Sequence, residues 1–384
     1  SFFGYGLGET IDFTAAIANV TVNGTDNNDA FTVAANNDVT ITGRATMENS
    51  AGSTVTANAG QGADTFTVDG GNLLATLNVN GGAGDDDDLL DANAPAGNVT
   101  VDLQLQRVTG FGATINYTGL QTVDVDAAGN LLTINATGGD DTVEVTPLTS
   151  STGVLRANGA DPVVLYNATT DALTVALQDG QDTLVVYGNE TNETITVSGT
   201  AVVASGQTVN FNTAEALTVN GQQGSDIFNV TPGTVPIFID GGDPIGATGD
   251  TLNLTVPAAA GAVTFAPGPE GDEGGFAVGG VVAVSYDHIE AATVDLNNNA
   301  LVICGTNGDD DINVTSTAAN QVIVSVNSGP AITYTNVTNL TIDAKAGDDN
   351  IDVDMNGNTI AGTFTINGGD PDTTGDTLTI DGLA

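Results

Sequence analysis

One short phrase keeps returning along this chain: Gly, one or two small residues, Asp, one further residue, then an apolar run. It reads GQGADTFTV at 60–68, GGDDTVEV at 138–145 and GQDTLVV at 180–186, and again GQQGSDIFNV at 221–230, GTNGDDDINV at 305–314 and AGDDNIDV at 346–353. Glycine supplies a turn with positive φ, Asp closes that turn through its side chain, and the β-branched run that follows reads as a strand. A turn–strand unit repeated this often predicts a repetitive all-β architecture in place of a compact enzyme.

Composition narrows the reading. Lys and Arg total 4 against 48 acids, a formal net charge of −44. Few of the acids are Glu; most are Asp, a turn former and oxygen ligand. Hydrophobic residues make up 40% of the chain, enough for a core, which separates it from disordered acidic sequences. With no Trp and only 5% aromatics, that core must come from Val, Ile, Leu, Ala and Thr, as in narrow stacked sheets. The charge excludes nucleic acid as a partner and disfavours an anionic membrane surface. No apolar run is long enough to span a bilayer, so no membrane insertion is expected. Divalent cations, or a saline environment, are the partners such a surface needs. Cys304 is the sole cysteine and follows Val302 and Ile303, which excludes an intrachain disulfide and predicts a buried strand thiol. The chain starts at Ser1 without Met and shows no signal peptide, so it reads as processed or excised.

Helical periodicity is nearly absent, and segments alternate as in TLNVN (76–80) and VTVDLQL (99–105). A second signature sets the phase, an aromatic residue followed at fixed spacing by a strand. It occurs as YTNVTNLTI from Tyr334, YDHIEAATV from Tyr286, FNTAEALTV from Phe211 and YTGLQTVDV from Tyr117. Tyr166 carries a copy one residue longer, and Met47 a degenerate one. Joining the two signatures gives a module of about seventy residues. Residues 24–91, 188–256 and 305–384 each hold one. Residues 92–187 and 257–304 are degenerate regions, the latter with a Gly/Pro-rich loop at 267–280. Residues 1–23 form a partial module whose aromatic amino end carries Phe2, Phe3 and Tyr5 as candidate assembly residues.

Equivalent strands recur from Leu217 to Ile237 and from Thr341 to Thr365. The expected fold is therefore a parallel β-solenoid, or β-helix, of about 20–24 residues per coil. Tandem β-sandwich domains are the alternative, and the lack of clean linkers favours the solenoid. GLGETIDF (6–13) resembles the phrases that close a module, TGDTLNL (248–254) and TGDTLTI (374–380). The chain thus begins and ends on a module's last phrase, with no polar cap at either end.

The Gly–Asp phrases resemble the haemolysin-type (RTX) repeat of microbial surface proteins, whose pattern is Gly-Gly-x-Gly-x-Asp-x-apolar-x. AGQGADTFT (59–67), GTNGDDDIN (305–313) and AKAGDDNID (344–352) carry the resemblance. It implies calcium as a cofactor, held between successive turns. The candidate ligands are Asp64, Asp86, Asp87, Asp141, Asp182, Asp226, Asp310 and Asp349. Family repeats run in tandem, whereas these phrases stand singly, tens of residues apart.

Asn-x-Thr sequons begin at Asn19, Asn23, Asn98, Asn116, Asn135, Asn167, Asn189, Asn192, Asn229, Asn253, Asn313, Asn336 and Asn339. They are candidate glycosylation sites, and stacked amide ladders are the other use for asparagines repeated in this way. Catalytic patterns are missing: His288 is the single histidine, and no nucleophile motif, zinc cluster or phosphate loop is present. The expected function is not enzymatic. It is an extracellular structural protein at a cell surface, an acidic repeat rod whose copies join head to tail into a filament or layer. The alternative is a calcium-dependent adhesin or stalk module of a larger surface protein.

Overall fold

The computed structural model describes residues 10–12, 19–44, 46–48, 54–82, 87–170, 172–244, 249–370 and 375–382. Among them every regular element is a β-strand, and the strands build two long, mostly parallel sheets that face each other without closing into a barrel. The fold is the parallel β-solenoid expected from the repeats. In most strands inward and outward residues alternate, as in Thr54–Gly60 and Gln321–Val326, and such a strand gives one apolar face to the core between the sheets. That core is chiefly aliphatic, with occasional aromatic stacking such as Phe31 on Phe66 at 4.7 Å.

The chain divides into two compact units, residues 1–184 with 206–214, and residues 185–205 with 215–384. In the first, one sheet runs in the spatial order Thr10–Asp12, Thr46–Glu48, Val39–Ile41, Ala30–Ala34, Thr65–Asp69, Leu89–Asn93, Thr122–Asp126, Ala160–Asn167, Thr152–Ala157 and Thr142–Thr149. Its partner sheet runs Asn19–Asn23, Thr54–Gly60, Leu77–Gly82, Ala113–Thr118, Arg107–Phe111, Val99–Asp102, Leu132–Asn135, Ala172–Ala176 and Gln207–Asn212.

These orders expose a departure from a plain solenoid. Single strands that alternate between the sheets are interrupted by three-stranded antiparallel meanders, over 30–48, 99–118 and 142–167. In each, the last strand pairs with an earlier part of the chain and the first strand with a later part. Thr46–Glu48 lies beside Thr10–Asp12, for example, and Ala30–Ala34 beside Thr65–Asp69. The second unit repeats the device at 263–287 and 311–335. Within each unit the meanders alternate from one sheet to the other.

Coil length follows from this. Where no meander intervenes, equivalent positions lie 20 to 27 residues apart, and Leu217 with Ile237 and Thr341 with Thr365 are direct parallel partners. Coils that contain a meander return only after 33 to 47 residues. The aromatic signature turns out to mark the third strand of a meander. Met47, Tyr117, Tyr166, Tyr286 and Tyr334 all point inward there, and each precedes the corner that leads to the opposite sheet.

A hairpin can be this tight because of residues that tolerate a left-handed backbone. Asn158 and Gly159, at φ 57° and 62°, form the two-residue turn between Thr152–Ala157 and Ala160–Asn167. On the same hairpin Gly153 faces Tyr166, and a Cβ at Gly153 would stand 2.2 Å from the tyrosine oxygen. Gly153→Ala should therefore cost about 1–3 kcal/mol in urea denaturation through overpacking. Gly97→Ala, where a Cβ would meet nothing within 4 Å, should change stability by less than about 0.5 kcal/mol.

Candidate functional site

Strand pairing satisfies the backbone along the sheets, but at corners the chain leaves both ladders. Its N–H groups there need other acceptors. Side chains provide them in a recurrent way. Each corner of this type closes on an acid two residues before the first inward residue of the next strand: Asp29 before Phe31, Asp64 before Phe66, Asp226 before Phe228, Asp310 before Ile312.

The first contribution is local. A carboxylate oxygen of Asp310 accepts the Thr306 N–H at 2.7 Å, and the Thr306 hydroxyl and Asn327 Nδ2 also donate to this side chain. Asp141 repeats the arrangement with Thr137 and Asn158. Asp29 does so with Thr25, and Glu193 with the Asn189 N–H. Glycine five residues earlier leaves room for the carboxylate: a Cβ at Gly305 or Gly221 would lie 2.5 or 2.6 Å from an oxygen of Asp310 or Asp226.

The second contribution joins coils. The N–H of each corner acid donates to the carboxylate of the equivalent residue one coil later. In the first unit the series runs Asp29 to Asp64, Asp64 to Asp88, and Asp88 to the Gln121 amide, with Asp141 to Asp182 as a separate step. In the second unit it runs from Glu193 through Asp226 and Asp250 to Glu290, and again from Asp310 through Asp349 to Asp376. The residue just before the acid forms an outer row whose bonds point the opposite way. Ala63, Gln181, Ser225 and Asp348 donate their N–H groups back to Asn28, Asp140, Asn192 and Asp309 of the preceding coil. Paired residues such as Asn28–Asp29 and Asp309–Asp310 thus clamp neighbouring coils in both directions.

Six of the expected calcium-ligand residues, Asp64, Asp141, Asp182, Asp226, Asp310 and Asp349, occupy this inner row and are buried. Asp87 is exposed, Asp86 lies outside the described residues, and the corner is filled by Asp88. The inner row also contains Asp29, Glu193, Asp250, Glu290 and Asp376, which the Gly–Asp phrase alone does not pick out. Their common mark is the two-residue step to the inward strand position. Among the described residues no group of three or more His, Cys, Asp or Glu side chains is placed to hold a metal ion. One oxygen of each of these acids accepts a backbone N–H, and the acids succeed one another a coil at a time.

Burial has an electrostatic consequence. It pushes the Asp226 carboxyl up to about 7 and Asp250 up to about 6, partly offset by the N–H bonds they accept. Asp349 is raised as well, again mainly by burial. Oδ2 of Asp226, Asp250 and Asp349 has no hydrogen-bond partner.

The remaining expected sites are peripheral. Each of the sequon asparagines is exposed or half-buried. Amide ladders do form, on the outward faces: Asn80 donates to Asn58 and Asn58 to Asn23, and Asn253 donates to Asn229. Phe2, Phe3 and Tyr5 lie outside the described residues. His288 Nδ1 sits 2.9 Å from Asp240 Oδ1, an interaction that raises the imidazole's affinity for its proton and ties two neighbouring coils together. Cys304 is buried at the end of Leu301–Cys304. No protein-family model matches the chain, and no curated protein is significantly similar to it.

Two measurements test the clamp. Asp310→Ala strands several donors and should cost about 2–4 kcal/mol in urea denaturation, whereas Asp309→Ala, on the exposed outer row, should cost under about 1 kcal/mol. The raised carboxyls contribute stability that is complete below the ordinary carboxylate range and lost as pH rises through about 6 and 7. Stability should therefore decline from about pH 4 to pH 7. Asp226→Asn should flatten that decline, and an unchanged slope would exclude Asp226 as its source.

Proposed function

We propose that this chain is an extracellular structural protein, an acidic β-solenoid whose copies stack edge to edge into a cell-surface filament or layer. One observation carries the reading. The strand Thr377–Asp381 pairs in register with Asn350–Asp354 and repeats its alternation, yet Leu378 is 50% and Ile380 38% exposed. Their direct neighbours Ile351 and Val353 are 1% and 0% exposed. The edge continues the interior pattern, and a further strand laid on it, from a second copy or from more of the same chain, would cover the same apolar face and pair its backbone groups. The corner clamps support the reading too, because they commit acidic side chains to coil-on-coil stacking.

Net charge opposes the association of identical copies. Salt or divalent cations at the outer carboxylates would lower that repulsion, which makes cations partners of assembly. The exposed sequon asparagines suit a secreted, glycosylated surface. Those outer acids also keep a second reading in play, a calcium-dependent adhesin or stalk module. That reading predicts stability lost on chelation, without self-association.

Negative-stain electron microscopy and sedimentation, with and without divalent cations, test the proposal. The expected result is assemblies that lengthen with cation concentration and disappear in the double variant Leu378→Asp, Ile380→Asp, which should keep its β circular dichroism. Monodisperse single copies of the unaltered protein under all ionic conditions would sink it.

A further inference from the structure

The two outer faces of the first unit differ in charge. The sheet that contains Thr65–Asp69 carries Asp69, Asp91, Asp124, Asp126 and Glu144 at outward positions, and Asp91 lies directly opposite Asp124. Burial and then the neighbouring Asp91 charge push the Asp124 carboxyl up. The partner sheet runs from Asn19–Asn23 to Gln207–Asn212 in nine strands, and the charged side chains in them are Arg107 and Asp102, which pair at 3.4 Å. In a chain of net charge −44, that sheet turns a neutral face outward.

Threonine and asparagine fill that face in rows. Thr21, Thr56, Asn78 and Asn116 are successive cross-strand neighbours, and Asn23, Asn58, Asn80 and Thr118 form the row beside them. Past the meander the central row resumes as Thr100, Thr133, Thr174 and Asn210. The amides are held in place: Asn116 donates to Asn78 at 2.9 Å, and Asn78 to the Thr56 hydroxyl at 3.2 Å. An amide so placed has a second N–H and a further lone pair to offer a partner. At about 4.8 Å per strand and about 3.3 Å per residue, nine strands of about five residues cover roughly 700 Å2. Each side of a standard protein interface contributes about 800 Å2.

We propose that this face pairs with the same face of a second copy, so that two solenoids lie side by side, sheet against sheet. Its neutrality selects the partner. Copies that approach through the side of Asp69, Asp91 and Asp124 bring like charges together. Across the Thr/Asn face they meet none, and repulsion from other faces is screened beyond about 8 Å at physiological ionic strength. A charged ligand finds only the closed Arg107–Asp102 bridge. A second copy offers donors and acceptors at the same strand spacing, so each contact repeats from coil to coil, as in stacked amide zippers. Because the amides are already ordered, pairing costs little side-chain entropy. Asn19, Asn23, Asn116 and Asn135 lie on this face, so pairing requires them to stay free of glycan and leaves glycosylation to sequons elsewhere. Such pairing adds a lateral contact to the edge stacking proposed above and does not depend on it.

Sedimentation velocity of the Leu378→Asp, Ile380→Asp variant, in which edge stacking is blocked, isolates the lateral contact. A concentration-dependent dimer strengthened by salt is expected. On that background Thr56→Glu and Thr133→Glu, each placing an acid in the central row, should weaken the dimer at least about tenfold, with circular dichroism unchanged. Thr67→Glu, on the acidic sheet, should leave it unaltered. An equimolar mixture of Thr56→Glu and Thr56→Lys should recover pairing, since the two faces then carry opposite charges. A single copy at every concentration and salt, a dimer indifferent to both glutamates, or glycan on Asn23 or Asn116 of the native protein would overturn the proposal. Assemblies of the unaltered protein that give way to single copies in the edge variant would leave edge stacking without lateral pairing. Dimers of the edge variant, with no longer assemblies of the unaltered protein, would show the reverse.

Discussion

Everything in this molecule depends on how a chain that turns between two sheets satisfies its backbone at the turn. Along a strand each N–H finds a carbonyl on the neighbouring coil. At a corner geometry breaks that match, and a buried unpaired N–H costs as much as several good contacts return. The acid at the end of the corner resolves this. Some of these acids close their own turn, as Asp310 does by accepting the Thr306 N–H, and others accept the N–H of the coil before, as Asp226 does for Glu193. The acid is therefore tied to the corner by hydrogen bonding as much as by solubility. Glycines such as Gly221 follow from the same need, since a side chain there would occupy the carboxylate's place.

That arrangement clarifies the resemblance to calcium-binding repeats. Both rest on Gly for the turn and Asp for its closure, and a local pattern of this length cannot distinguish an Asp that meets an ion from one that meets an N–H. Here Asp310 faces Asp349 across 39 residues of chain, and what joins them is a backbone N–H.

Much of the fold was legible because period-two alternation and Gly–Asp corners are local signals. The short coils, including Leu217 opposite Ile237, could be phased from spacing alone. The meanders were not legible in that way. An antiparallel strand shows the same alternation as a parallel one, so periodicity carries no information on strand direction. Turn chemistry does carry it, and Asn158–Gly159 was the readable sign of a hairpin. The aromatic signature sets the phase of the chain, and its place is the third strand of a meander. At the corners, the run DDDD at 85–88 hid which acid lies inside. Counting back two residues from the inward Leu90 selects Asp88 over Asp86 or Asp87.

The back-folded meanders carry a consequence for how the molecule is made. In a plain solenoid each new coil has a finished neighbour to settle on, so growth can proceed one rung at a time. Here Ala30–Ala34 passes the place that Thr46–Glu48 will fill, and only the return of the chain through Val39–Ile41 closes the gap. The smallest addition that leaves no slot in the sheet is three strands laid down together. A ribosome delivering this chain would therefore release it into structure in steps, each waiting on a complete meander. Any interruption inside a meander would leave an unfilled slot bounded by strand edges on both sides.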